Sequence, residues 1–168
     1  MTLHDLNTLP LQQLKDELMK CCGSSAWVNG MVPFFPAEDL VEVLEDAEEQ
    51  WYKCGKDDWK EAFAHHARIG DVESLKKKFA STAQWASAEQ SGVNTASEQS
   101  IKALAKVNEE YEKKFGYIFI VCATGKSAEE MLGMLQSRLV NDPEDEIEIA
   151  ADEQNKITKM RLEKLLND

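Results

Sequence analysis

Three stretches of this 168-residue chain combine residue types that could carry chemistry. In residues 62–71, "AFAHHARIGD", His65 and His66 stand side by side, ahead of Arg68 and a helix-stopping Gly70. Sequence neighbours point about 100° apart on a helix, so this pair cannot form the i, i+4 zinc site of a metalloprotease helix. At most one imidazole can face a given pocket, where near-neutral titration suits it to proton transfer. A capping or surface position is the plainer alternative. In residues 85–93, "WASAEQSGV", Glu89 and Gln90 set a charged acceptor beside a two-faced amide, a combination able to read a urea-like group. The alternative there is a solvated helix end. Arg161 is the third candidate. It falls within the apolar face formed by Ile147, Ala150, Ile157, Leu162 and Leu165. A guanidinium in such a place needs an anion, a planar carbonyl-rich partner, an internal acid or a route to the rim.

The elements that must position these residues are helical by period. Leu11, Leu14, Leu18 and Cys22 recur at helical spacing behind Pro10, which suits a first turn. A second proline, Pro36, is expected to open a helix whose stripe is Leu40, Val41, Leu44, Ala47 and Trp51, closed by Cys54 and Gly55. Ile101, Leu104, Asn108, Tyr111 and Phe115 mark a long helix from Ala96 to Phe115, ended by Gly116. Ser127 with Glu130 reads as a capping box, and a last long helix follows "NDP". The exception is residues 117–123, "YIFIVCA", whose β-branched and aromatic content says strand. A lone strand has no partner for its ladder groups, so the segment is expected to be a buried extended connector. Ile118, Ile120 and Val121 would pack in the core while backbone N–H and C=O groups there meet a ligand. The expectation is an all-α single domain spanning residues 1–168, a bundle of about eight to ten helices.

Composition narrows the function. With 31 acidic against 19 basic residues the net charge is −12, and no basic stripe could follow a phosphate backbone, so nucleic acid is not an expected partner. No segment reaches the roughly 18 apolar residues of a membrane span, and "MTLHDLNTLP" lacks the basic start of a signal peptide. A cytoplasmic protein with no membrane contact is the expectation. Cys21, Cys22, Cys54 and Cys122 have neither CxxC nor zinc spacing, so no metal site is expected and they read as reduced thiols.

Taken in order, "FAHHARIGD", "WASAEQSGV", "FGYIFIVCATGKSAEEML" and "ITKMRLEKLL" resemble the 2-oxo-4-hydroxy-4-carboxy-5-ureidoimidazoline (OHCU) decarboxylase family of urate breakdown. Each motif alone is weak; four in order are specific. The resemblance aligns His66 with the histidine of the family's His-Pro-Arg-Ile-Gly motif, because Arg68, Ile69 and Gly70 fix the register and leave His65 outside it. It makes His66 and Glu89 the catalytic residues. Gln90, Arg161 and the backbone of Ile118, Phe119, Ile120 and Val121 become substrate-binding, together with Ala67. Two positions depart from the pattern: Ala67 replaces the motif's proline, and Ala86 replaces the serine three residues before Glu89. The resemblance further implies a homodimer acting on a small anionic ureidoimidazoline without any cofactor. A non-catalytic acidic helical interaction module, or a related ureide-processing enzyme on the same scaffold, stand as the competing readings.

Overall fold

The computed structural model describes residues 1–66, 93–123 and 125–167, with side chains described from residue 99 onward in the helix that begins at Val93. Ala67, Glu89 and Gln90 therefore lie outside the described residues. Eight α-helices and one 3₁₀ turn occur among the described residues, and no strand does, in keeping with the all-α expectation. They are α1 (Leu3–Asn7), α2 (Leu11–Cys21), α3 (Ser25–Met31), α4 (Leu40–Lys53), α5 (Lys56–Ala64), α6 (Val93–Phe115), α7 (Ala128–Leu139) and α8 (Pro143–Asn167); the 3₁₀ turn is Val32–Phe34. The chain divides into two compact units. One comprises Met1–His66, Ile120–Cys122 and Ile147–Asp168; the other comprises Ala67–Phe119 and Ala123–Glu146.

In the first unit, caps decide where helices begin. Pro10 stands just before α2 rather than inside it, and its carbonyl accepts from Leu14 N at 2.9 Å. Pro36 does not open α4, contrary to expectation. That helix starts at Leu40, because the Asp39 carboxylate accepts the orphan Glu42 N–H at 2.8 Å, a service proline cannot perform. The buried stripe also differs from the expected one: Val43, Ala47 and Trp51 face inward at four-residue spacing, while Val41 is 61% exposed. In α2 the buried positions are Leu14, Leu18 and Cys21, whereas Leu11 is exposed.

Tryptophans tie this core together. Trp27 Nε1 donates to Ala47 O at 3.0 Å, and Trp51 Nε1 donates to Ala151 O at 2.8 Å. Each indole thus buries its apolar body, worth about 2–3 kcal/mol for a large side chain, without orphaning its one donor. On α8 the polar run Glu153, Gln154 and Asn155 is buried as well, and every member has a partner: Cys122 N, His66 and Glu48 respectively.

The second unit is organised by Tyr111 on α6. Ile101, Leu104, Asn108 and Tyr111 are buried as the period predicts, Phe115 is half-buried, and Gly116 ends the helix at φ +82°, where a Cβ would be strained. The Tyr111 ring meets Phe119 edge-on at 5.4 Å between centroids. Arg138 of α7 lies 4.5 Å over Phe119, and its Nε donates to both oxygens of Glu146 at 2.8 and 3.0 Å. Ser127 caps α7, its Oγ accepting from Glu130 N at 3.1 Å, which is one half of the expected capping box; the reciprocal bond from Ser127 N to the Glu130 side chain is not formed.

Residues 117–123 form neither helix nor strand, with no ladder partner among the described residues. Tyr117, Phe119, Ile120 and Val121 are buried, and Ile118 is half-buried. Within the first unit, Cys122 N donates to the buried Glu153 carboxylate at 3.3 Å, so a side chain supplies what a neighbouring strand otherwise would.

Candidate active site

The first unit holds a cavity of about 270 Å³. The last turn of α2 contributes Met19 and Lys20 to its wall, and Gly23, two residues past the helix, adds to them. The end of α5 contributes Ala62, His65 and His66, and α8 contributes Arg161.

Local sequence explains why the histidines arrive here. α5 begins when the Asp58 carboxylate accepts Gly55 N–H at 3.0 Å, and it ends at Ala64, not at the expected Gly70. His65 closes it with its N–H on Ala62 O at 3.1 Å, and His66 N donates to Phe63 O at 3.2 Å. Both imidazoles consequently sit on the turn leaving the helix, where the two line one cavity. The helical geometry that keeps neighbours off a shared face does not apply there, so both histidines line the cavity, against the expectation of at most one. Gly23 makes room for it: a Cβ there would overlap the Cβ and ring of His65.

Arg161 is half-buried, and its Nη1 donates to Lys20 O at 3.4 Å. That carbonyl is one of the last-turn acceptors of α2 that lack an intrahelical partner, a favourable place for a cation. The bond is long for an N–H···O contact, and no carboxylate of the described residues is within ion-pair distance of the guanidinium. Most of its planar donor fork is therefore available to a ligand. Lys20 turns its ammonium to Glu17 at 3.0 Å and offers the cavity mainly its stem and backbone.

Burial disfavours the thiolate at both nearby cysteines. Burial pushes the Cys21 thiol up to about 11 despite the opposing pull of Arg161, and burial pushes Cys22 up to about 12. None of the four cysteines is disulfide-bonded. On the far side of His66, its Nε2 pairs with Gln154 Oε1, and Gln154 Nε2 donates to Thr158 Oγ1 at 3.0 Å.

The structure thus brings together two of the expected site residues, His66 and Arg161, and holds the connector against α8 through Glu153. Gln154 and Thr158 were not foreseen. In "ADEQNKITK" a glutamine among charged neighbours carries no sign of burial, and only the one-turn spacing of 154, 158 and 161–162 hints at a common face.

The class this fold and site define is an all-α protein with an imidazole and a guanidinium on one small cavity. The OHCU decarboxylase family model matches residues 7–163, and the chain belongs to that family. It is 38% identical over 155 residues to the uric acid degradation bifunctional protein TTL of Arabidopsis thaliana, covering 92% of this chain and 48% of the plant protein. It is 24% identical over 166 residues to the 2-oxo-4-hydroxy-4-carboxy-5-ureidoimidazoline decarboxylase of Xenopus laevis, covering 96% of this chain and 93% of that one. Among solved structures, an OHCU decarboxylase crystallised in the presence of (S)-allantoin superposes with a TM-score of 0.71 at 39% identity, over 91% of this chain and 99% of the other. The chain spans about half the length of the plant relative and a third of the bifunctional PucL protein of Bacillus subtilis.

Proposed function

We propose that this chain decarboxylates 2-oxo-4-hydroxy-4-carboxy-5-ureidoimidazoline to (S)-allantoin in urate breakdown. The observation that carries this reading is that His66 and Arg161, far apart in sequence, line one cavity in a member of the OHCU decarboxylase family. The family match runs through both compact units, which supports a single functional domain.

In this substrate the carboxylate-bearing carbon lies beside a ring C=N. When the C–C bond to the carboxylate breaks, CO2 leaves and the electron pair moves into the imine, whose nitrogen takes a proton. The substrate is its own electron sink, which is why no cofactor enters this reading. The resulting enol-like carbon is then protonated on one face, giving one enantiomer of allantoin and consuming one proton overall. The protein has to orient the ring and manage protons. His66 acts as general base toward the hydroxyl on the carboxylated carbon and handles the proton delivered to the ring. Arg161 binds substrate oxygens through its unspent fork. On the family resemblance, Glu89 orients His66 or substrate N–H groups, Gln90 and the Ala67 turn bind ring or ureido amides, and the backbone of residues 118–121 supplies further hydrogen bonds. The same resemblance supports a homodimer in the cytoplasm, which sedimentation and cell fractionation would check.

The test generates the unstable substrate in place from urate with urate oxidase and hydroxyisourate hydrolase, then follows circular dichroism. Added protein should accelerate the appearance of optically active allantoin, and His66→Asn should abolish that acceleration while folding normally. No acceleration by the wild-type chain would overturn the reading.

A further inference from the structure

The His66 ring has two nitrogens, and a base works only if the lone pair is on the correct one. Its Nε2 faces Gln154 Oε1, in a part of the first unit where Gln154 is 0% exposed and Thr158 2%. An amide can present either end to an imidazole, so the tautomer depends on what holds the amide. Gln154 Nε2 donates to Thr158 Oγ1 at 3.0 Å, one turn further along α8. Donors then run in one direction, from His66 to Gln154 and from Gln154 to Thr158. Because an amide oxygen only accepts, this orientation places the hydrogen on Nε2, and reversing the amide would set its NH2 there instead.

We propose that Gln154 is a positioning residue for the reaction: its Oε1 accepts the Nε2 hydrogen of His66 and so holds the neutral imidazole in the tautomer whose lone pair is on Nδ1. Thr158 acts one step further out, its Oγ1 accepting from the other end of the amide. The proposal's catalytic meaning rests on His66 being the base of the decarboxylation; its structural content does not. A glutamine suits this place because it orients the ring without adding a negative charge that would make the imidazole permanently cationic.

The experiment uses the whole chain labelled with 15N-histidine, without substrate, at a pH above the imidazole range. Long-range proton–nitrogen spectra separate the two tautomers, and His66 signals are assigned by their loss in His66→Asn. The expected wild-type result is hydrogen on Nε2 and a pyridine-like Nδ1. In Gln154→Leu, nearly the same size, His66 should drift to a tautomer mixture. Thr158→Val, which keeps Gln154, should give a smaller drift in the same direction. Turnover in Gln154→Leu should fall on the order of tenfold in kcat with KM little changed, a fraction of the roughly 10²-fold or more that side-chain proton transfer contributes. Hydrogen on Nδ1 in the wild type, or an unchanged tautomer in a folded Gln154→Leu, overturns the proposal. If Gln154→Leu does not fold, the wild-type spectrum and Thr158→Val still decide. Should the tautomer behave as expected while His66→Asn retains full turnover, the functional reading fails and the hydrogen-bond assignment survives.

Discussion

Arg138 and Arg161 both sit on helices that help form a core, yet their surroundings could hardly differ. Arg138, in the second unit, is 7% exposed; it donates twice to Glu146, lies over the Phe119 ring and has Tyr111 OH at 3.5 Å. Its charge is consumed inside the protein. Arg161, in the first unit, makes one long bond to a backbone carbonyl and no ion pair among the described residues. A buried arginine with a carboxylate partner is a structural group, and one left facing a cavity is a binding group. Position on an apolar helix face does not separate the two cases; the partner does.

The largest expected effect breaks the structural side of this contrast. Arg138→Ala leaves Glu146, fully buried, as an uncompensated carboxylate and should cost about 3–5 kcal/mol in urea unfolding. Replacing both partners by apolar residues of similar volume should recover most of that loss. A single-mutant cost below about 1 kcal/mol would mean that Glu146 finds another cation or takes a proton.

Next comes the binding side. Arg161→Lys keeps a charge but loses the planar fork, and kcat/KM should fall about 10–100-fold, the worth of a charged hydrogen bond of roughly 1.5–3 kcal/mol. Stability should change by no more than about 0.5 kcal/mol, as for a group outside a buried network. An Arg161 variant as unstable as Arg138→Ala would erase the distinction.

Raising the pH compares the two interiors with a smaller, graded effect. Burial pushes both Cys22 in the first unit and Tyr117 in the second up to about 12. Folded-state values raised above unfolded ones favour the protonated forms, so this stability is complete below the unfolded values and is lost as pH climbs toward 12. For Cys22 the loss begins near 9, at up to about 1.4 kcal/mol per pH unit. Alkaline unfolding should therefore set in before either group ionises in the folded state, with thiolate and phenolate absorbance rising together with the loss of helicity. Thiolate absorbance appearing while the helices persist would mean that Cys22 is more accessible than its burial implies.

Much of this was legible in the sequence, for identifiable reasons. Helical period and cap chemistry foretold the long helices, the Ser127 cap and the end of α6 at Gly116, because those signals are local. That residues 117–123 form no strand was legible too, since a lone strand has no ladder. Val41 and Val43 are not told apart by residue type, since two valines beside Leu40 and Leu44 leave the centre of the apolar stripe undecided and only packing chooses Val43. Pro36 carries the more conspicuous opening signal in sequence, while the capping falls to the Asp39 side chain. Arg161 stood out as a charge among aliphatic residues. Gln154 did not, because its burial comes from a histidine that approaches from α5, and only the tertiary fold brings that about. Glu89, Gln90 and Ala67 keep the standing the family motifs confer on them, as they lie outside the described residues.

Positions 153, 154, 158 and 161 all belong to one uninterrupted helix. Inserting or deleting one residue between them would turn everything downstream by about 100°, carrying Arg161 off the cavity while leaving every side chain chemically intact. The helix behaves like a camshaft, whose lobes can be recut one at a time but whose angular phase is common property. Over this stretch a change of length should be tolerated far less than a change of any one side chain.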